Sequence, residues 1–287
     1  MRKTISIIMP SKNEQQGLSV LLPRLRTLYP DAEIIVVNDG STDATENICH
    51  ENKVHVISHP YSMGNGAAIK TGAREANGDI LVFMDADRQH NPEDIPSLLE
   101  KLDEGFDMVV AARTRHSQAG AHRAVANGFY NKLASWMTGH IVSDLTSGFR
   151  AANAIKFREF LHLLPNGFSY PTTITMAFFR AGYSLSYVPV EVRKRLGKSH
   201  IRPVKDGIRF LLIIFRIGTL YSPLKLFLPI SLTICMIGLA YYGYTYIHFK
   251  RFTNMSALLL LTSMLVFLIG LVSEQITMLI YQKSEKR

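Results

Sequence analysis

The sequence predicts an α/β protein: a doubly wound, mostly parallel sheet, followed by an interfacial amphipathic helix and a two-helix transmembrane hairpin. Three observations carry this reading. Short apolar runs alternate with helical patterns through the first half of the 287-residue chain, as strands joined by crossover helices do. The runs are apolar nearly throughout, which suits strands buried on both faces of a parallel sheet. Two later stretches each exceed the roughly 20 residues that a membrane helix needs.

In order, strands are expected at 5–10 (ISIIMP), 33–39 (EIIVVND), 54–59 (VHVISH), 79–87 (DILVFMDAD) and 107–113 (DMVVAAR). Helices fit between them at 15–28, 43–52, 65–76 and 92–104. Beyond Arg113 the pattern loosens to a helix over 121–138, the unassigned stretch SDLTSGFRAANAIKF, a helical patch over 172–181 and a last strand in SLSYVPVEVRKR. The next segment opens as a basic loop and continues as a helix with Ile208, Leu211, Leu212, Phe215 and Ile217 on its apolar side, suited to a membrane surface. Spans at 224–247 and 255–281 follow, and Ser273, Glu274 and Gln275 place the end of the second at the interface or against its partner helix. The chain thus divides into an α/β domain (1–200), a basic juxtamembrane helix (201–223), two spans (224–281) and a tail (282–287).

A formal charge of +9 raises the question of nucleic acid, but Arg193, Lys194, Arg195, Lys198, Arg202, Lys205 and Arg209 sit immediately before the first span. There they read as partners of anionic lipid headgroups, and no nucleic-acid partner is expected. The opening MRKTISIIMPSKNE has an apolar stretch too short for a signal peptide. Basic residues before the first span and in the closing QKSEKR favour both termini in the cytosol, at the cytoplasmic membrane. Cys49 and Cys235 share no metal spacing and indicate no disulfide framework. Small and polar residues in the spans permit a homo-oligomer.

Asp85 and Asp87 close the expected fourth strand. Strand alternation would turn both to one face, with Gln89 next in line if the geometry persists. Ligands of open parallel sheets bind beyond the strands' carboxyl ends. Hard oxygen ligands there suit Mg2+ or Mn2+ shared with a diphosphate, an ion that offsets charge as a nucleoside diphosphate departs. An isolated D-x-D is as readily a solvated turn before a helix, for which Asn91 and PED suffice. A second acidic strand end, Asp39 in VVNDGSTDAT beside Gly40, argues for a site, while Asp43 reads as an N-cap. GNGAAIKTG (64–72) is neither a dinucleotide fingerprint, having Ile69 in the third glycine's place, nor a phosphate loop. Its glycines either admit a substrate or pack a helix start. A glycosidase pair is excluded, because its carboxylates lie about 5 Å or more apart with the sugar between them.

PSKNE, VVNDGSTDAT, GNGAAIKTGAREANGD, DADRQHNPED, SDLTSGFRA and KRLGKSHI stand in this order between Pro10 and Ile201, within a resemblance that covers residues 4–215. Together they resemble family 2 glycosyltransferases of the dolichol-phosphate mannose synthase type, particularly bacterial polyprenyl-phosphate glycosyltransferases, and the hairpin resembles that of membrane-anchored members. The resemblance implies a GT-A fold. It implies Pro10, Asn13, Glu14, Asp39, Lys70 and Asp85 around the nucleotide sugar, and Asp85, Asp87 and Gln89 on the metal and diphosphate. Arg113, Arg123, Asn127, Lys194 and Lys198 would meet the acceptor phosphate, with Asp87, Asp144 and Arg123 as the catalytic set. The sequence departs from the pattern at Asn127, where relatives often have Ser, at Lys194, where some have Arg, and at His200, where many have Lys.

The chemistry supports the same acceptor. A phosphate monoester, with a second pKa of about 6, is already largely ionised at neutral pH, whereas a hydroxyl needs a general base. Processive hydroxyl-glycosylating relatives carry a Gln-x-x-Arg-Trp motif, and the sole Trp, Trp136, makes none. The expectation is an inverting, metal-dependent transfer of a hexose from a UDP- or GDP-sugar to polyprenyl phosphate. The alternatives are a hydroxyl-lipid acceptor such as diacylglycerol, or a non-catalytic membrane partner. Asp144 would contact the sugar, orient Arg150 or cap its own turn through Thr146 and Ser147. Arg150 could instead be a structural ion-pair partner, and His90 reads as a helix-start residue or a support behind the ligands.

Overall fold

A computed structural model describes residues 3–114, 121–167, 169–192, 212, 215, 218, 219 and 221–285; the side chains of 121–127 and 282–285 lie outside that description. The chain separates into two compact units, Met1–Arg202 and Pro203–Arg287.

The first unit runs β1 (Ile5–Ser11), α1 (Gln15–Leu28), β2 (Glu33–Asn38), α2 (Thr45–Glu51), β3 (His55–Ser58), α3 (Asn65–Glu75) and β4 (Ile80–Phe83). A short 3-10 turn (Pro92–Asp94) leads into α4 (Ile95–Asp103) and β5 (Met108–Arg113). There follow α5 (Ala121–Thr138), β6 (Arg150–Asn153), α6 (Ala154–Glu159), α7 (Tyr170–Arg180) and β7 (Leu185–Val190). One seven-stranded sheet results, in the order β3-β2-β1-β4-β6-β5-β7. Only β6 runs antiparallel to its neighbours, pairing Arg150 with Phe83 on one side and with Val110 on the other.

The strands earn their place by burial. Ile7, Ile8 and Met9 of β1, Leu81–Phe83 of β4 and Met108–Ala111 of β5 are fully or almost fully buried. Each large apolar side chain so buried contributes about 1.5–3 kcal/mol. On α1, Leu18, Leu21, Leu22 and Leu25 recur at helical spacing and close one face of the sheet.

Two features depart from the expected elements. The fourth strand stops at Phe83, not Asp87; Asp85 to Asp87 lie in a turn, and Arg88 follows with φ +64°. Strand alternation therefore does not govern how Asp85, Asp87 and Gln89 are presented. The unassigned stretch supplies β6 and α6. Its strand was hidden because Arg150, Ala151 and Ala152 are all buried, so no polar-apolar alternation marks it.

Gly64 and Gly66 of GNGAAIKTG serve backbone packing, while Gly72 lies against the Ile8 and Val37 side chains. A Cβ at Gly66 would sit 2.0 Å from the Pro165 carbonyl oxygen, and one at Gly64, with φ +104°, would sit 2.6 Å from that of Asn166. The amides of Gly66 and Ala67 donate to the carbonyls of Gly167 (3.2 Å) and Asn166 (2.8 Å), so the start of α3 is occupied by protein rather than open to an anion. Because the obstacle is backbone, Gly66→Ala is expected to destabilise the soluble unit by about 1–3 kcal/mol, read as a lowered thermal midpoint.

The second unit is a helical hairpin, α8 (Pro223–Phe249) and α9 (Asn254–Glu285). Small and polar residues form its seam. Gly238 faces Leu259 and Leu260, Gly270 faces Phe227, and the Ser263 hydroxyl donates to the Ser231 carbonyl at 2.9 Å. Glu274 faces the partner helix, accepting from the Leu224 amide and the Ser222 hydroxyl, each at 3.2 Å, and so caps the start of α8. Large apolar side chains such as Met236 (66%), Leu261 (60%) and Leu265 (59%) remain exposed, which fits two lipid-facing helices and not the buried core of a soluble domain.

Candidate active site

The topology gathers polar residues at one sheet edge. The carboxyl ends of β1, β2, β4 and β5 lead to Asn13, Asp39, Asp85 and Arg113 respectively. Because β6 is reversed, its starting end, with SDLTSGFR before it, reaches the same edge.

On the β1–β2 side the loops are tied to each other. Asn13, in the left-handed region with φ +56°, accepts the Thr42 amide at 2.8 Å on its side chain, while its own amide donates to Ser41 Oγ at 2.9 Å. Asp43 accepts from the Gln15 amide (3.2 Å) and from Thr45 Oγ1 (2.6 Å), joining the starts of α1 and α2 rather than only capping α2. Pro10 is buried in β1, and the Glu14 amide donates to Thr45 Oγ1 at 3.2 Å.

Asp39 is buried and receives donors on both oxygens. His59 Nδ1 (2.8 Å) and the Met63 amide (2.7 Å) reach Oδ1, while Ser62 Oγ (2.8 Å) and the Gly64 amide (2.9 Å) reach Oδ2. Burial opposes ionisation of this carboxyl, but these donors outweigh it and hold it below the usual carboxylate range. Lys70 turns elsewhere: its ammonium donates to the Leu164 carbonyl at 3.2 Å and to Asn166 Oδ1.

The Asp85–Asp87 turn is braced from below. A Cβ at Gly17 would lie 2.0 Å from the Ala86 carbonyl, so only glycine lets α1 approach this closely. Both carboxylates are half-buried, and Asp87 Oδ1 accepts the Gln89 amide at 3.1 Å. A Cβ at Gly148 would stand 3.1 Å from Asp85 Oδ2 and 3.5 Å from the Tyr170 hydroxyl, so any larger residue here would crowd the carboxylate. His90 is buried against Phe149, with ring centroids 4.9 Å apart. Burial pushes its pKa down to about 4, so it is neutral at physiological pH.

Among the described residues no group of three or more His, Cys, Asp or Glu side chains could hold a metal ion. Two carboxylates and an amide oxygen close together on one turn nevertheless fit Mg2+ or Mn2+, which keep few protein ligands and fill the rest with phosphate and water.

Beside this turn Arg113 and Asp144 form a bidentate pair. Nε donates to Oδ2 at 2.8 Å and Nη2 to Oδ1 at 2.9 Å, and the Arg113 amide adds a third bond at 3.2 Å. Asp144 also accepts the Thr146 and Ser147 amides at 3.1 Å, so it caps its own turn as well. Burial opposes its ionisation, yet the arginine holds its carboxyl low. The expectation that Asp144 orients Arg150 is thereby corrected: its ion-pair partner is Arg113. Arg150 is fully buried and donates to the Pro171 carbonyl (3.2 Å), Thr175 Oγ1 (3.1 Å) and the Ser147 carbonyl, below the Tyr170 ring. It ties α7 and the SDLTSG loop to the sheet.

The structure thus brings Asn13, Asp39, Asp85, Asp87, Gln89, Arg113 and Asp144 to one edge and directs Lys70 to the 164–167 loop. The side chains of Arg123 and Asn127 on α5, and Lys194, Lys198 and His200, lie outside the described residues. Sequence reasoning missed His59, although it follows an apolar strand just as Asp39 does. It also missed Gly148, whose role appears only once β6 is placed.

By fold, the soluble unit is a GT-A-like domain. Crystal structures of glucosyl-3-phosphoglycerate synthase from Mycobacterium tuberculosis are similar to it; one, in complex with Mn2+, uridine diphosphate and glucosyl-3-phosphoglycerate, has a TM-score of 0.60 at 23% identity, covering 75% of this chain and 78% of that one. Residues 6–161 match Glycosyl transferase family 2, and residues 222–279 match the GtrB C-terminal hairpin. The chain belongs to glycosyl transferase family 2. An undecaprenyl-phosphate mannosyltransferase of Micrococcus luteus is 31% identical over 216 residues, covering 67% of this chain and 85% of that protein. An undecaprenyl-phosphate 4-deoxy-4-formamido-L-arabinose transferase of Photorhabdus laumondii is 32% identical over 159 residues, 52% of this chain and 49% of that protein. The chain therefore matches about half the length of the arabinose transferase.

Proposed function

We propose that this protein transfers a sugar, a hexose, from a UDP- or GDP-sugar to polyprenyl phosphate at the cytosolic face of the cytoplasmic membrane, with inversion at the anomeric carbon. The observation that carries the reading is the Arg113–Asp144 pair beside the Asp85–Asp87 turn at the sheet's carboxyl edge, in a family 2 chain that also bears a membrane-length hairpin.

Each residue has a task in this scheme. Asp144 fixes the Arg113 fork, Thr146 Oγ1 takes the second Nη2 hydrogen, and the Nη1 group that remains positions the acceptor phosphate. That phosphate is already ionised, so in-line attack on the anomeric carbon needs no dedicated base. The tied loops at Asn13 and Asp39 form the nucleotide's wall, with Pro10 and Glu14 beside them. Asp85, Asp87 and Gln89 would hold Mg2+ or Mn2+, which when bound neutralises charge developing on the departing diphosphate. Arg123, Asn127, Lys194 and Lys198 would extend the acceptor site, and the basic 201–223 segment would lie against anionic lipid, with both termini cytosolic.

The test is purified full-length protein in detergent, offered a panel of UDP- and GDP-sugars with undecaprenyl phosphate or diacylglycerol, scored by nucleotide release. Release is expected with undecaprenyl phosphate and a divalent cation. Equal release with diacylglycerol, or release unaffected by chelation, would overturn the acceptor or the metal assignment respectively.

A further inference from the structure

Asp39 has no acceptor capacity left for a ligand. A carboxylate offers about four lone-pair sites, and His59, Ser62, Met63 and Gly64 take one each. A nucleotide reaching the carboxyl end of β2 therefore meets the loop that Asp39 holds, not the carboxylate itself. On that loop two large side chains stand out toward solvent, Tyr61 at 66% exposure and Met63 at 38%.

The loop is fixed with unusual thoroughness for one that carries an exposed aromatic. Asp39, ionised, can only accept from His59 Nδ1, so that nitrogen carries a proton, while Nε2 pairs with Thr71 Oγ1 at 3.0 Å. Thr71 lies on α3, so the imidazole links the end of β2 to a helix on the sheet's face. The His59 amide adds a bond to the Asn38 carbonyl at 2.8 Å. Gly40, with φ +67°, presses against the far side of the loop: a Cβ there would stand 2.8 Å from both the Ser62 amide nitrogen and the Tyr61 carbonyl carbon. Tyr61 thus projects outward from a backbone that Gly40 and the Asp39 bonds hold in place. A planar ring held at a ligand-binding sheet edge suits a flat, aromatic ligand.

We propose that Tyr61 is the surface on which the donor's nucleobase stacks, and that His59 is the positioning residue that holds it there through Asp39 and Thr71. This rests on the reading of the chain as a nucleotide-sugar enzyme and adds to it the residues that grip the base. Stacking is tolerant of base identity, so Tyr61 supplies affinity, and choice between uracil and guanine falls to hydrogen bonds around it.

The experiment is calorimetric titration of UDP and of GDP, each with Mn2+, into the purified full-length protein. Tyr61→Ala is expected to weaken the nucleotide that the wild type binds by about tenfold, and Tyr61→Phe to bind as the wild type does, since a base needs only the ring face. His59→Ala should raise the donor KM by a similar factor with little change in kcat. His59→Asn, whose amide can replace the Nδ1 donor to Asp39, should recover most of the loss. Tyr61 is exposed, so its variants keep the core, and an unchanged thermal midpoint checks this. Binding by Tyr61→Ala within about twofold of wild type, well inside the usual stacking loss, would overturn the proposal, as would a change confined to the acceptor KM. A wild type that binds neither nucleotide would overturn the enzyme reading together with it.

Discussion

Asp87→Ala is expected to abolish sugar transfer, lowering kcat/KM by about 10³-fold or more, because several kcal/mol of charge stabilisation at the departing diphosphate would go with it. The loss should be local. Asp87 is half-buried on a turn beyond the end of its strand at Phe83 and accepts the Gln89 amide at 3.1 Å. Fold and membrane insertion should therefore persist, seen as an unchanged thermal midpoint and detergent extraction profile. Paramagnetic resonance of Mn2+ titrated into the protein with nucleoside diphosphate gives a readout apart from turnover: the wild type should capture the ion and Asp87→Ala should not. Asp87→Asn should fall close to Ala, since the amide retains shape but loses the charge that a hard cation selects. Near-normal turnover by Asp87→Ala would sink the metal assignment. Lost turnover with intact Mn2+ capture would move Asp87 from the ion to another task.

How much of this was visible in the chain alone differs by element. Parallel strands buried on both faces announce themselves as apolar runs, and the helices between them followed from periodicity; α1 was anticipated over its full extent, 15–28. The strand-end carboxylates were legible because a charge at the end of such a run stands out. What failed was the geometry between residues distant in sequence. β6 is short, and its first residue is a buried arginine, Arg150, whose neutralising contacts are carbonyls and a hydroxyl from α7 and its own loop. Nothing local signals such a strand. With β6 unplaced, the SDLTSG loop could not be put beside Arg113, so the cap at Thr146 and Ser147 was among the expected roles of Asp144 but the pairing with Arg113 was not. Likewise Gly64 and Gly66 of GNGAAIKTG carried no mark of the 165–167 backbone that requires them.

Asp144→Ala should cost the enzyme its grip on the acceptor rather than its chemistry. Truncating one partner of a buried, hydrogen-bonded charge pair costs about 2–5 kcal/mol, much of it from the charge left behind. The remaining guanidinium loses the two fork bonds that fix its plane, and the Arg113 backbone amide loses its acceptor. Expected is a fall in kcat/KM for polyprenyl phosphate of about 30-fold or more, with the donor KM unchanged. Arg113→Lys should fare little better, because an ammonium cannot span a carboxylate and a phosphate in one plane. If Asp144 acts through Arg113, the double variant Arg113→Ala/Asp144→Ala is no worse than Arg113→Ala alone; multiplicative losses would instead give Asp144 its own contact with the sugar. The pair also fixes a pH signature. Asp144 is held below the usual carboxylate range, so its stabilisation is complete above the unfolded value of about 3.9 and is lost only as pH falls through the lower folded value. Between about pH 5 and 8 this pair therefore imposes no slope on acceptor affinity. A slope there would have to come from the acceptor phosphate, whose second ionisation lies near about 6, and it should shift with the phosphate's pKa in substrate analogues while staying put in Asp144→Asn.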